Sequence, residues 1–222
     1  MKLKSKIFIA MTLLLSGGAA MSIEQPSYNV VFSADGIEYR QYEPYLVAET
    51  LMEDITSYSA AGNEGFRRLF RYISGANDGN SKISMTAPVA QAPAWGEKID
   101  MTGSLTQTLS TQGWSLAFML PSKYDLDTAP QPTDRRVRIK SVPARTVAVL
   151  RYNGRWTKSN RAAAEIDLRK KLADANVEII GAVDSAMFNS PFMLPLFRRN
   201  EIHAPIDRIP VAAPAAGLVA EK

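Results

Sequence analysis

The chain has 222 residues, 46% hydrophobic and 22% charged, with one histidine and no cysteine. That balance suits one globular core, with two small halves as the variant, and the missing cysteine excludes thiol catalysis, cysteine-held zinc and c-type haem attachment. The formal charge of +4 falls to +1 once Lys2, Lys4 and Lys6 are set aside, which is too little for the sustained basic footprint of a nucleic-acid binder.

Those three lysines precede an apolar run, Ile7 to Leu15, and the small residues Ser16, Gly17, Gly18, Ala19 and Ala20. Basic, apolar, small is the layout of a secretory signal peptide. The run is shorter than the ~20 apolar residues that span a bilayer, and no second one follows. Residues 1–22 are therefore expected to be a leader cleaved after Ala20 or Ser22. The protein is expected to be exported, periplasmic if bacterial and otherwise secreted, with no stable membrane insertion after cleavage. No cysteine stands after the run to carry a lipid anchor.

In chain order, Asn29–Phe32 and Ile37–Tyr42 flank an Asp35-Gly36 pair, the composition of a tight β-hairpin. A strand over Tyr45–Met52 follows. Phe66, Leu69, Phe70 and Ile73 then recur at helical spacing with Arg67, Arg68 and Arg71 off the stripe, and the polar, glycine-containing stretch 75–80 ends that helix. Lys82–Val89 and Lys98–Thr102 repeat each other, and strand alternation places Ile83 with Met85, and Ile99 with Met101, on apolar faces. A strand over Ser115–Met119 and a Pro-rich loop over Ala129–Pro132 come next. A second helix is predicted from an N-cap at Asn160 to Ala175, burying Ala164, Leu168, Leu172 and Ala175. Residues 205–222 read as an Ala/Pro-rich tail.

One internal repeat organises these elements. Ile37–Ala48 aligns without gaps on Val137–Ala148, and a helix follows each copy. The expected architecture is α+β: two pseudo-symmetric β-hairpin/helix halves that pair their strands and leave a groove between sheet and helices, where ligands favour concave surfaces.

The motifs for phosphate loops, dinucleotide folds, nucleophile elbows and helical zinc sites are all missing. The lone histidine, His203, reads as a strand-surface or interface residue, and Glu53-Asp54 and Asp125 with Asp127 as solvated loop carboxylates. Met85 and Met101 are either core methionines or a soft wall for a flat apolar ligand. No catalytic role follows from any of these patterns.

Four ordered blocks, Phe66–Asn77, Lys82–Val89, Phe118–Pro121 and Leu194–Glu201, resemble the SOUL haem-binding protein family, and the resemblance runs from about Tyr28 to Ile202. It implies a distorted antiparallel β-barrel with two main helices packed on it, covering 23–204. It also implies non-covalent binding of haem or another porphyrin in an apolar cleft beside the first helix. Carried over by position, Phe66 and Phe70 cover the porphyrin plate, Arg71 holds a propionate and Met85 lies nearby. Met101 is its counterpart in the second Met-Thr segment. Some members ligate iron through a histidine near the first helix, where this chain has none, and Leu194 stands where the family carries a basic residue. Histidine is thus not expected to hold iron here, and the metal ligand stays open. The alternative is a gyrase-inhibitor-like module for another amphipathic small molecule, which a buried acid at the pocket centre would favour.

Overall fold

The computed structural model describes residues 23–94, 113–189 and 192–210. Nine strands form one antiparallel curled sheet with two helices on one face. The first half contains β1 (Tyr28–Ala34), β2 (Ile37–Tyr42), β3 (Tyr45–Met52), α1 (Tyr58–Ile73), β4 (Val89–Pro93) and β5 (Trp114–Met119). The second contains β6 (Val137–Val142), β7 (Arg145–Tyr152), α2 (Lys158–Asp174), β8 (Asp184–Met187) and β9 (Asn200–Pro205). The β1–β2 turn is where the Asp-Gly pair predicts it. Asp35 and Gly36 both have positive φ, 51° and 77°, the conformation a two-residue hairpin needs to match strand twist.

The repeat is expressed as a pseudo-two-fold axis. The strand order is β1-β2-β7-β9-β8-β4-β5-β3-β6; without β1 it reads the same from either end when the halves are exchanged. The register obeys the same symmetry, since Tyr39 pairs with Ala148 and Ala48 with Ile139. Where β4 meets β8, Gln91 faces Ser185, and this pair lies on the axis itself. Each helix covers its own core: Leu69 of α1 with Leu116, Phe118 and Ala48, and Leu168 and Leu172 of α2 with Ile202, Ala204 and Tyr39.

Several expectations are corrected in detail. The buried arc of α1 is Tyr58, Ala61, Gly62, Gly65, Leu69, Tyr72 and Ile73, so the stripe centred on Phe66 and Phe70 is shifted to one side. Glycine explains the shift. It adds nothing to an apolar stripe, yet at Gly65 a Cβ would lie 2.8 Å from Cβ of Leu116, so the bare backbone is what allows α1 to approach β5. The N-cap of α2 is Thr157, whose hydroxyl accepts from the Asn160 amide at 3.2 Å, and Ala175 is its exposed C-cap.

The expected strand over Lys82–Val89 begins only at Val89. Before it the Ile83 amide donates to the Ile73 carbonyl and the Thr86 hydroxyl to the Met119 carbonyl. These bonds turn Thr86 inward, and Met85 is 40% exposed instead of facing the core. Past residue 204, Pro205 still pairs in β9, and Ile206 is buried and bridges to Ile179. Residues 1–22, the second Met-Thr segment with Met101, and 211–222 lie outside the described residues.

Candidate functional site: a cleft on the pseudo-two-fold axis

The N-terminal half of α1 and the residues that lead into α2 meet at the axis, and a cleft of about 700 Å³ opens there. Tyr58, Gly62 and Phe66 of α1 form one wall; Trp156, just before α2, and Met187, at the end of β8, form the other, over Gln91 of β4. Arg67, Arg155 and Arg198 bring positive charge to it. Its volume falls within the ~300–1,000 Å³ of small-molecule and cofactor sites.

The base of the cleft is a polar knot. Ser185 Oγ donates to the Gln91 carbonyl at 3.2 Å and so accepts from the Tyr58 hydroxyl at 2.9 Å, while Gln91 Nε2 donates to the Tyr58 carbonyl at 2.9 Å. Burial pushes the Tyr58 phenol well above its ordinary pKa, so it stays neutral. Two buried atoms in the lining, Gln91 Oε1 and Trp156 Nε1, have no hydrogen-bond partner among the described residues.

Of the sequence-predicted residues, Phe66 lines this cleft. Phe70 is 50% exposed, one turn along, with its ring nearly parallel to that of Phe66 (12°) and centroids 5.9 Å apart; together they make an aromatic ledge running out of the cleft. Arg71 is exposed on the last turn of α1, and neither it nor Met85 lines the cleft. Sequence reasoning missed Trp156, Gln91 and Met187, which come from the other half or from the axis and carry no motif.

The opposite face of the sheet holds a second feature that the sequence concealed. Arg40 and Glu201, both with fully buried side chains, form a two-pronged ion pair at 2.9 and 3.1 Å, and Arg40 also stacks over Tyr28, 4.3 Å from the ring centroid. Arg151 and Arg199 reach the same carboxylate. His203 is not on the strand surface. It is buried between Glu201 Oε2 at 2.8 Å and Asp184 Oδ1 at 3.2 Å. Burial works against its proton, but the two carboxylates outweigh burial and raise its pKa above the ordinary value. Glu201 and Asp184 are held below theirs, because their cationic neighbours overcome desolvation. Alternation does put Glu201 and His203 on one face of β9. Nothing local says that this face is buried, because Ile202 and Ala204 fill the other one.

A family model described as SOUL heme-binding protein matches residues 23–205. The chain belongs to the SOUL haem-binding protein family. It is 28% identical to human Heme-binding protein 2 over 189 residues, 83% of this chain and 86% of that protein. It is also 28% identical to mouse Heme-binding protein 1 over 139 residues, 63% and 68% of the two chains. The C-terminal domain of EcmrR shares the fold at a TM-score of 0.57 with 11% identity, over 82% of this chain and 99% of that one. The single histidine of this SOUL family member lies on the face away from the helices, clasped by two carboxylates. Among the described residues no group of three His, Cys, Asp or Glu side chains is arranged to hold a bare metal ion, and no helix is long and apolar enough to cross a membrane.

Proposed function

We propose that this protein is an exported, non-enzymatic carrier of haem or a closely related porphyrin, serving transport, buffering or scavenging, and that the axial cleft beside α1 is its binding site. Family membership supports the ligand class. The observation that carries the placement is the Phe66–Phe70 ledge leading into a cleft of sufficient volume, with arginines around it. A porphyrin is a flat apolar plate with two propionates. Aromatic rings cover such a plate, and arginine pairs with carboxylates through two parallel bonds.

In that arrangement Phe66 and Phe70 pack the plate while Arg67 and Arg155 meet the propionates. Arg67 is otherwise held on the exposed helix surface by Glu64 at 3.0 Å and by a long bond to the Asn63 carbonyl at 3.4 Å. A bound haem would supply an iron centre. Of the lining residues, Met187 offers a thioether, Tyr58 is a neutral phenol bonded to Ser185, and His203 is across the sheet. The carrier reading is supported by lining residues that can enclose a flat plate, Phe66, Trp156 and Met187 among them. Export is supported by the pattern of residues 1–22.

Haem titration of the purified protein tests the placement. A saturable Soret shift that weakens in Phe66→Ala and Arg155→Ala, and is unchanged in His203→Ala relative to folded protein, is the expected result. Titration without a Soret shift would overturn the ligand, and full affinity in Phe66→Ala would overturn the site. Mass spectrometry of the protein recovered from its native cell tests export, with an N-terminus at Met21 or Ile23 expected and an intact Met1 contradicting it.

A further inference from the structure

The face of the sheet opposite the helices encloses a second cavity, of about 150 Å³. Its walls come from alternate residues of the same strands that carry the helix-side core. Val47, Ala117 and Met119 face it, whereas Ala48, Leu116 and Phe118 face α1. An apolar cavity of roughly this size accepts one benzene ring, so it is far too small for a porphyrin and is independent of the haem reading.

The polar wall of this cavity is unbalanced. The charged groups that line it are Glu49, Arg145, Asp184 and His203. Glu49 is paired with Lys140. Asp184 has a cation near each oxygen, His203 Nδ1 at 3.2 Å from Oδ1 and Arg145 Nη2 at 3.5 Å from Oδ2, so its charge is met on both sides although Oδ1 makes no aligned hydrogen bond. Arg145 is the cation of this wall with the weakest contacts. Its side chain is 27% exposed, its Nη2 contacts are long, 3.3 Å to the Tyr45 hydroxyl and 3.5 Å to Asp184, and its buried Nε has no partner among the described residues.

A guanidinium held by such long contacts is a cation that a planar carboxylate entering the cavity could engage in place of Asp184. Two phenols add to this. Tyr45 accepts from Arg145 and Tyr42 accepts from Arg40. Arginine has no lone pair to give back, so each phenol keeps its own O–H proton for another acceptor.

We propose that this cavity is a second ligand site, for a small monocyclic carboxylate of the benzoate class, with Arg145 as its anion-binding residue and the tyrosine-lined pocket holding the ring. Calorimetric titration of the whole protein with benzoate, benzamide and benzylammonium tests it. Saturable binding of benzoate, at least tenfold weaker binding of the neutral benzamide and none of the cation are expected, and this comparison needs no variant. Arg145→Gln should weaken benzoate at least tenfold. Ala117→Leu, which fills the cavity and keeps the arginine, should abolish it. In both variants the haem Soret titration should stay as in the parent. Benzylammonium binding as tightly as benzoate, no binding by any of the three, or displacement of benzoate by haem would each overturn the proposal.

Discussion

His203 Nε2 and Glu201 Oε2 lie 2.8 Å apart, two residues from each other on β9, with both side chains buried. The bond anchors a chain of charges that runs from Arg40 through Glu201 and His203 to Asp184 and Arg145. Glu201, His203 and Asp184 owe their ionised states to their neighbours, because desolvation opposes each of those charges, whereas the two arginines stay charged in any setting.

Breaking that chain from one side should cost more than the chain contributes as a whole. Glu201→Gln leaves the fully buried Arg40 with the part-exposed Glu38 alone, at 2.7 and 2.8 Å, and takes a carboxylate from His203, Arg151 and Arg199, so the expected loss of unfolding free energy lies below the about 3–5 kcal/mol of a buried charge left wholly unpaired. Urea unfolding followed by circular dichroism measures it. A loss under about 1 kcal/mol would show that Glu38 alone is enough to hold Arg40.

The same residues set the pH range of stability. Glu201 and Asp184 have folded pKa values below their ordinary ones, so their contribution is complete above the ordinary carboxylate range and is lost as pH falls through the depressed values. His203 has a raised pKa; its contribution is complete below the ordinary histidine value of about 6.5 and is lost as pH rises through the higher folded value. Melting temperature against pH should therefore form a plateau between the carboxylate and histidine ranges. In His203→Ala the alkaline decline attributable to this group should vanish, and the acid decline should persist.

Gly65 is predicted to be the most size-sensitive position of α1. A Cβ there meets Leu116 Cβ at 2.8 Å and Met52 Cε at 3.1 Å, and the first of these belongs to a buried strand residue that has little room to yield. Gly65→Ala gains helix propensity of up to ~1 kcal/mol but overpacks the core at about 1–3 kcal/mol. Net destabilisation in thermal or urea unfolding is expected, and a more stable protein would refute the close contact.

For haem, Phe66→Ala should reduce affinity more than Phe70→Ala, since Phe66 lines the cleft and Phe70 is half exposed beyond it. An aromatic contact contributes about 0.5–1.5 kcal/mol beyond area burial, which corresponds to a drop of roughly two- to tenfold or more once the lost area is included. Met85→Ala, outside the cleft, should leave affinity unchanged. Soret titrations of the three variants side by side decide the order.

Thr157→Ala should cost about 1 kcal/mol by removing the N-cap of α2, with Asn160→Ala the lesser change because its backbone amide, not its side chain, meets the cap.

What the sequence determined by itself was what short-range chemistry and repetition encode. The Asp35-Gly36 turn, the core positions Leu69, Leu168 and Leu172, and the equivalence of Ile37–Ala48 with Val137–Ala148 all follow from spacing along the chain. With the family blocks, they yield the duplicated α+β fold and point to Phe66, which lines the axial cleft. Tertiary structure alone decided which face each side chain occupies and what it meets there. It placed Trp156 and Met187 beside Phe66, set Phe70 at the edge and Met85 outside, and moved the centre of the α1 face onto Gly62 and Gly65. It also enclosed His203 among Glu201, Asp184 and Tyr42. The physical reason is that burial and charge pairing depend on strands far apart in sequence. Arg40 and Glu201 are separated by 161 positions, and no local pattern marks an arginine and a glutamate that will be removed from water together.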